Sequence, residues 1–356
     1  MKKSLLIPIF LTAFSLSMQN SIATENVNKE AFTMKNLSVT DKWDKTFKQS
    51  DKVLHQKVQF HNRFGITLVG DLYIPKAINQ KTKAIAISGP FGAVKEQASG
   101  LYAQTLAENG FITLAFDPSF TGESGGEVRN IASADINTED FSAAIDYLLT
   151  RDDVDSSKVG ILGICGFGGF ALNAAAIDTR IKATVTSTMY DMSRVTAYGY
   201  NDSVDEAARF KIKEALNAQR IVDYKNNSYE LAGGLPDKLD DNAPQFIKDY
   251  FAYYKTDRGY HERSLNSNEG WTKTSALALM NTKLLSFASE IQSPVLVIHG
   301  EKAHSRYFSE DAFKLLKGDD KELYIVKDAN HTDLYDNMNK IPFSKIIDFY
   351  DKSFAN

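Results

Sequence analysis

One cysteine in 356 residues excludes an internal disulfide framework and any cysteine-built zinc site. Beyond the first residues, no stretch approaches 18 apolar residues, so no membrane-spanning helix is expected. There is no long basic block and the net charge is −4, which argues against nucleic acid as a partner. Internal repeats and low-complexity segments are lacking too. Charged residues at 24% and aromatics at 11% exclude a disordered tail or a fibre. The length suits one large domain with an insertion, or two domains. A lone thiol is left without an evident role.

The start reads as a secretory leader. Met1-Lys2-Lys3 is positive, Leu5 to Met18 is mostly apolar, and Ser21-Ile22-Ala23 supplies small residues for cleavage. Cleavage after Ala23 takes two lysines and no acids, leaving a net charge of −6. We therefore expect an exported protein, periplasmic or secreted, without a stable membrane anchor. Thr24 to about Ser50 is polar and suggests a mobile arm with one short helix.

From residue 51 the pattern changes. Lys57 to Phe60 and Ile66 to Ile74 flank a turn and predict a hairpin. Apolar strands then alternate with helical segments through Ser187, and resume from Pro294 to Phe354. This predicts an α/β fold, a mostly parallel sheet with helices on both faces. Residues 193–292 are rich in Tyr, Asn, Asp and Lys and read as a helical cap, which splits the core into 51–192 and 293–356.

The thiol lies in Val159-Gly-Ile-Leu-Gly-Ile-Cys-Gly-Phe-Gly-Gly169. An apolar strand runs into Cys165 and a small-residue helix leaves it. That is the layout of the nucleophile elbow, G-x-S-x-G, with cysteine for serine. The helix N-terminus is expected to favour thiolate there. Phe167 stands where the elbow usually has glycine. Gly166-Phe-Gly-Gly-Phe-Ala171 also fits a dinucleotide fingerprint, but that reading explains neither Cys165 nor a histidine partner. No cofactor and no metal is expected.

A nucleophile needs a base and an orienting acid, in chain order nucleophile, acid, histidine. Of six histidines, His331 follows the last predicted strand and is the expected base; His304 is placed to line the site. Two acids compete. Glu301 follows the strand ending at Gly300, and Asp191 follows the sixth strand. For the oxyanion hole the expected amides are those of Gly166 and of Phe91, since Pro90 has no N–H. The loop Asp117 to Gly126 is expected to shape the site floor, and Tyr253, Tyr254, Tyr260 and Trp271 to cap it.

These stretches, with Ser88-Gly-Pro-Phe-Gly92, Gly163-Ile-Cys-Gly-Phe-Gly-Gly169 and His299-Gly-Glu-Lys-Ala-His-Ser-Arg306, resemble bacterial α/β-hydrolases of the dienelactone-hydrolase-like group. The resemblance implies a Cys, Asp, His triad. Cys165 and His331 match it, while Ala303 stands at the usual Asp position. The expected activity is hydrolysis of an ester, lactone or thioester of a small acyl substrate through a Cys165 acyl-enzyme. An acyltransferase and a non-catalytic small-molecule-binding homologue remain alternatives.

Overall fold

The computed structural model describes residues 34–355, so the leader reading lies outside the described residues. Its centre is an eight-stranded sheet in the order β1-β2-β4-β3-β5-β6-β7-β8. Strands β1 (Val53–His61) and β2 (Thr67–Pro75) form the predicted hairpin, and β2 also runs antiparallel to β4 (Ile112–Phe116). The others pair in parallel: β3 (Thr82–Ser88), β5 (Val154–Ile164), β6 (Thr184–Ser187), β7 (Val295–Gly300) and β8 (Lys321–Val326).

The central strands are apolar because both of their faces are covered. Side chains alternate across a strand, so each strand feeds two cores. Ala84, Ala86, Ile161, Val295 and Val297 join one core. Their neighbours Ile85, Ile87, Leu162, Leu296 and Ile298 join the other. Helices α1 (Ala98–Glu108), α2 (Ala134–Leu149) and α3 (Phe167–Ile177) connect successive strands. Ser133 caps α2 through the amide of Ile136, and Asp135 adds a charge that suits the helix's positive end.

Between β6 and β7 the chain leaves the sheet and forms α4 (Met192–Tyr198), α5 (Glu206–Asn226), α6 (Gln245–Tyr254) and α7 (Ser275–Met280). It closes with α8 (Arg306–Leu315), a single turn α9 (Asp333–Asp336) and α10 (Phe343–Phe354). Among the described residues no helix is long and apolar enough to cross a membrane.

Residues 34–50 differ from the mobile, partly helical arm read from composition. They carry no helix and are tied to the sheet. Lys45 lies buried against Asp71 at 2.6 Å, and the amides of Thr40 and Thr46 bond Glu123 and the Glu96 carbonyl. A buried lysine persists only when paired, and its partner here is 26 residues away in sequence.

Candidate active site

At the end of β5 the chain reverses within a few residues. Cys165 adopts φ 54°, in the left-handed region that a side chain rarely occupies. Its amide bonds the Ser187 carbonyl, and its own carbonyl accepts from Gly168 and Tyr190. A Cβ at Gly163 would stand 2.1 Å from the Phe167 carbonyl oxygen, so only glycine fits there. Phe167, the departure from the usual motif, turns its ring into an aromatic cluster with Phe91, Phe141 and Phe170.

The thiol opens into a cavity of about 380 Å³. Phe91, Tyr190 and Met192 line it from the core side, and Tyr250, Tyr254 and Trp271 from the cap. Of the four cap aromatics expected there, Tyr253 packs behind the wall, 5.0 Å from the Tyr335 ring, and Tyr260 is half exposed. Trp271 stacks on Phe91 at 4.1 Å.

The amides of Gly166 and Phe91 and the Tyr335 hydroxyl lie beside the sulfur, where each is a donor that favours the thiolate form. The cap fixes the Phe91 turn: Asn266 Nδ2 donates to the Phe91 carbonyl at 2.8 Å, and its amide to the Gly92 carbonyl. Burial nevertheless outweighs these donors and pushes the thiol up to about 11. The helix terminus therefore does not give the resting thiolate expected from sequence. Desolvation of a buried anion exceeds the field of one helix turn.

His331 is fully enclosed. Its Nδ1 meets Ser305 Oγ at 2.6 Å and Thr188 Oγ1 at 2.9 Å, and its Nε2 meets the Tyr335 hydroxyl at 3.0 Å. Ser305 continues to His299 Nε2 at 2.9 Å, and His299 Nδ1 meets Ser309 Oγ at 2.6 Å. Burial, aided by His304 and His299, holds His331 well below its ordinary value. His299 falls to about 3 and His304 to about 4, again chiefly through burial. All three imidazoles are neutral near pH 7. His304 bonds the Tyr190 hydroxyl, and its ring centre lies 5.4 Å from that of His331.

Neither candidate acid reaches His331. Glu301 is exposed and accepts from the amide of Asp328 at 2.9 Å, because the chain turns outward after Gly300. Asp191 caps α4, accepting from the amide of Arg194 and the Ser193 hydroxyl. Glu301→Gln is expected to leave kcat within about twofold. Asp191→Asn, losing part of a cap worth about 1 kcal/mol, should stay within about threefold. A steady-state comparison that found either variant crippled would restore that carboxylate to the machinery.

The loop from Asp117 to Gly126 also departs from expectation. It does not line the cavity but clamps the 89–97 turn from behind. Asp117 accepts from the Lys95 amide and ammonium and from the Glu123 amide. Oxygens of Glu96, Asp117 and Glu123 converge within 4.8 Å, and the Lys95 ammonium sits 2.7 Å from each acid.

Sequence reasoning missed Tyr335, Thr188 and Ser305. Tyr335 had a usable signal, since it follows His331 by four residues, one helical turn.

Residues 65–333, which include the elbow, the cap and His331, match the X-Pro dipeptidyl-peptidase (S15) family. The chain belongs to that family. It is 52% identical over 343 residues to an uncharacterised protein of Pseudomonas aeruginosa, covering 94% of this chain and 90% of the relative. The crystal structure of that protein superposes with a TM-score of 0.88 over 90% of this chain and 99% of the other, at 53% identity. The α/β hydrolase GrgF from Penicillium aligns with a TM-score of 0.71 at 21% identity, over 85% of this chain and all of GrgF, which shows the shared fold. The thiohydrolase aneE of Aspergillus aculeatus is 29% identical over 139 residues, 39% of this chain and 43% of the relative. The chain thus has the α/β-hydrolase fold.

Proposed function

We propose that the chain is an exported acyl hydrolase that cleaves an ester, lactone or thioester through an acyl-enzyme on Cys165. The observation that carries this reading is the placement of Phe91 against Gly166 beside the Cys165 thiol, with the amides of both acting on it as donors. Two such donors beside a nucleophile can hold the oxyanion of a tetrahedral intermediate. The thiol is neutral at rest, so its proton must leave as the sulfur attacks, with His331 as the base. The intermediate then expels an alcohol or thiol, which takes the proton back from His331. Water, deprotonated by His331, attacks the thioester, Cys165 leaves, and the acid is released.

Substrate class follows from the cavity. Its lining residues include no carboxylate to pair with a free amino terminus, and thiolate departs more readily than an unprotonated amine. Activated carbonyls therefore fit better than the peptide bonds in the family's name. The apolar walls suit an aromatic or branched acyl group, and the indole N–H of Trp271, buried and unpartnered among the described residues, offers it one donor. The thiohydrolase relative supports thioesters in particular. A dienelactone-like substrate falls within this class, although hydroxyls rather than an Asp carboxylate meet His331 Nδ1.

The test is a panel of aryl and alkyl esters, acyl thioesters, a lactone and an Xaa-Pro anilide. Turnover is expected on thioesters and aromatic esters but not on the anilide. Iodoacetamide should abolish it, at a rate rising about tenfold per pH unit toward pH 11. Anilide cleavage at an ester-like rate, or turnover that survives complete alkylation, would overturn the proposal.

A further inference from the structure

His331 and Cys165 both contact Tyr335, and the phenol stands between them. Its hydroxyl lies 3.0 Å from His331 Nε2, and beside the thiol with which Tyr335 shares the cavity wall. The imidazole is held against reorientation. Ser305 and Thr188 grip Nδ1, and the rings of Tyr190, Tyr250 and Tyr335 surround it with centres 5.3 Å away. Tyr335 is itself fixed, with its ring fully buried among Tyr253, Tyr254 and His331.

We propose that Tyr335 is a catalytic residue, carrying the proton of the Cys165 thiol to His331. The inference rests on the acyl-enzyme reading above and deepens it. At rest the thiol donates to the Tyr335 oxygen, the phenol donates to Nε2, and Nδ1–H donates to the hydroxyls of Ser305 and Thr188. As the sulfur attacks the carbonyl carbon, the S–H bond breaks and its proton joins the phenol oxygen. The phenol's own proton passes to Nε2. Tyr335 begins and ends neutral, the electron pair left on sulfur forms the S–C bond, and His331 becomes imidazolium. The hydrogen bonds have reversed: Nε2–H now donates to the phenol, and the phenol to sulfur. Reprotonation of the leaving group runs the same path backward.

This arrangement also accounts for the missing carboxylate. The imidazolium's Nδ1–H is shared by two hydroxyl oxygens, and Ser305 hands its own hydrogen on to His299 Nε2. Neutral hydroxyls stabilise a cation less than a carboxylate does. Such a base suits an acyl group already activated by its leaving group, as in a thioester.

The experiment compares Tyr335→Phe, Cys165→Ala and 3,5-difluorotyrosine at position 335 on one aryl thioester. Tyr335→Phe keeps the ring and is expected to lower kcat about 10²–10³-fold, with KM within about threefold. The wild-type solvent-isotope proton inventory should be bowed, two protons moving together, and the residual Tyr335→Phe rate linear. Difluorotyrosine restores a hydroxyl of altered acidity, so kcat should return to within about tenfold and its pH profile should shift. That shift distinguishes a proton carrier from a packing residue, and the fluorinated variant decides the matter should Tyr335→Phe fail to fold. If Cys165→Ala is dead but Tyr335→Phe keeps more than half of wild-type kcat, the relay is wrong and the acyl-enzyme stands. Turnover surviving in Cys165→Ala would overturn both. A linear wild-type inventory, or a difluorotyrosine enzyme with an unshifted profile, would also overturn the relay.

Discussion

Cys165→Ala is expected to lower kcat by about 10⁴-fold or more, the scale on which losing a covalent nucleophile acts, while leaving the cavity intact. Alanine tolerates the φ of 54° no worse than cysteine does, because the turn already accommodates a Cβ and alanine adds nothing beyond it. The thiol is almost fully buried, so its removal leaves a void of about one sulfur and costs about 1–2 kcal/mol. The walls made by Phe91, Tyr254 and Trp271 do not depend on it. The variant should therefore still bind the acid product, and its melting point should drop by only a few degrees. Cys165→Ser is expected to fall between the two. A serine hydroxyl is harder to ionise than a thiol in the same dry site, and its shorter bond to carbon pulls the nucleophile back from the Phe91 and Gly166 amides. About a hundredfold loss of kcat is reasonable on those grounds. Two measurements check the assignment: steady-state kinetics on an aryl thioester, and intact-mass detection of an acyl adduct trapped by acid quench in wild type and absent from Cys165→Ala. An alanine variant within tenfold of wild type would sink the nucleophile.

Why some of this was legible in the sequence and some was not follows from the range of the forces. The βα alternation was readable because central strands such as Thr82–Ser88 must be apolar on both faces. The elbow was readable because sterics at Gly163 are local: a Cβ there would stand 2.1 Å from the carbonyl oxygen of Phe167, four residues on. Long-range pairing was not readable. Composition made residues 34–50 look detached, whereas Asp44 pairs with Arg263, 219 residues on, and Lys45 with Asp71. The orienting acid failed for a related reason. Counting residues from Gly300 assumed an extended loop, but the chain turns there, sending Glu301 toward Asp328 and bringing Ser305 to His331. Thr188 at φ 48° could not have been assigned from its type, since any hydroxyl residue reads alike in sequence. Tyr335 was within reach of local reasoning, through its spacing from His331, but a phenol is not the carboxylate that a histidine base ordinarily takes as partner.

Lys95→Met is expected to destabilise the fold by about 3–5 kcal/mol at pH 7, the range for removing one partner of a buried ion pair. The ammonium is fully buried, 2.7 Å from Glu96, Asp117 and Glu123, and methionine fills its stem without its charge. Three carboxylates would then face one another, with Lys57 and Arg263 reaching only some of them. The penalty should depend on pH with a definite sign. Although burial alone would raise their pKa values, Lys95 and neighbouring cations hold Glu96 and Glu123 below the ordinary value of 4.5 in the folded state. That stabilisation is fully present above about pH 4.5 and is lost as pH falls through the folded values. Asp117 works the other way, since burial raises it, so it is the first of the three to take a proton. Acidification neutralises the crowded acids in the variant, so the gap between wild type and Lys95→Met should narrow from pH 7 to pH 4. Urea unfolding at the two pH values measures it. A gap below 1 kcal/mol at pH 7, or one that widens in acid, would contradict the account. Activity should report the same cluster. Lys95 lies four residues beyond Phe91 in the turn that Asp117 clamps, so a loosened clamp moves the Phe91 amide away from the developing oxyanion. In folded Lys95→Met protein kcat should therefore fall further than KM rises, and Lys95→Met with Asp117→Asn should recover part of the stability, because it removes one of the stranded charges.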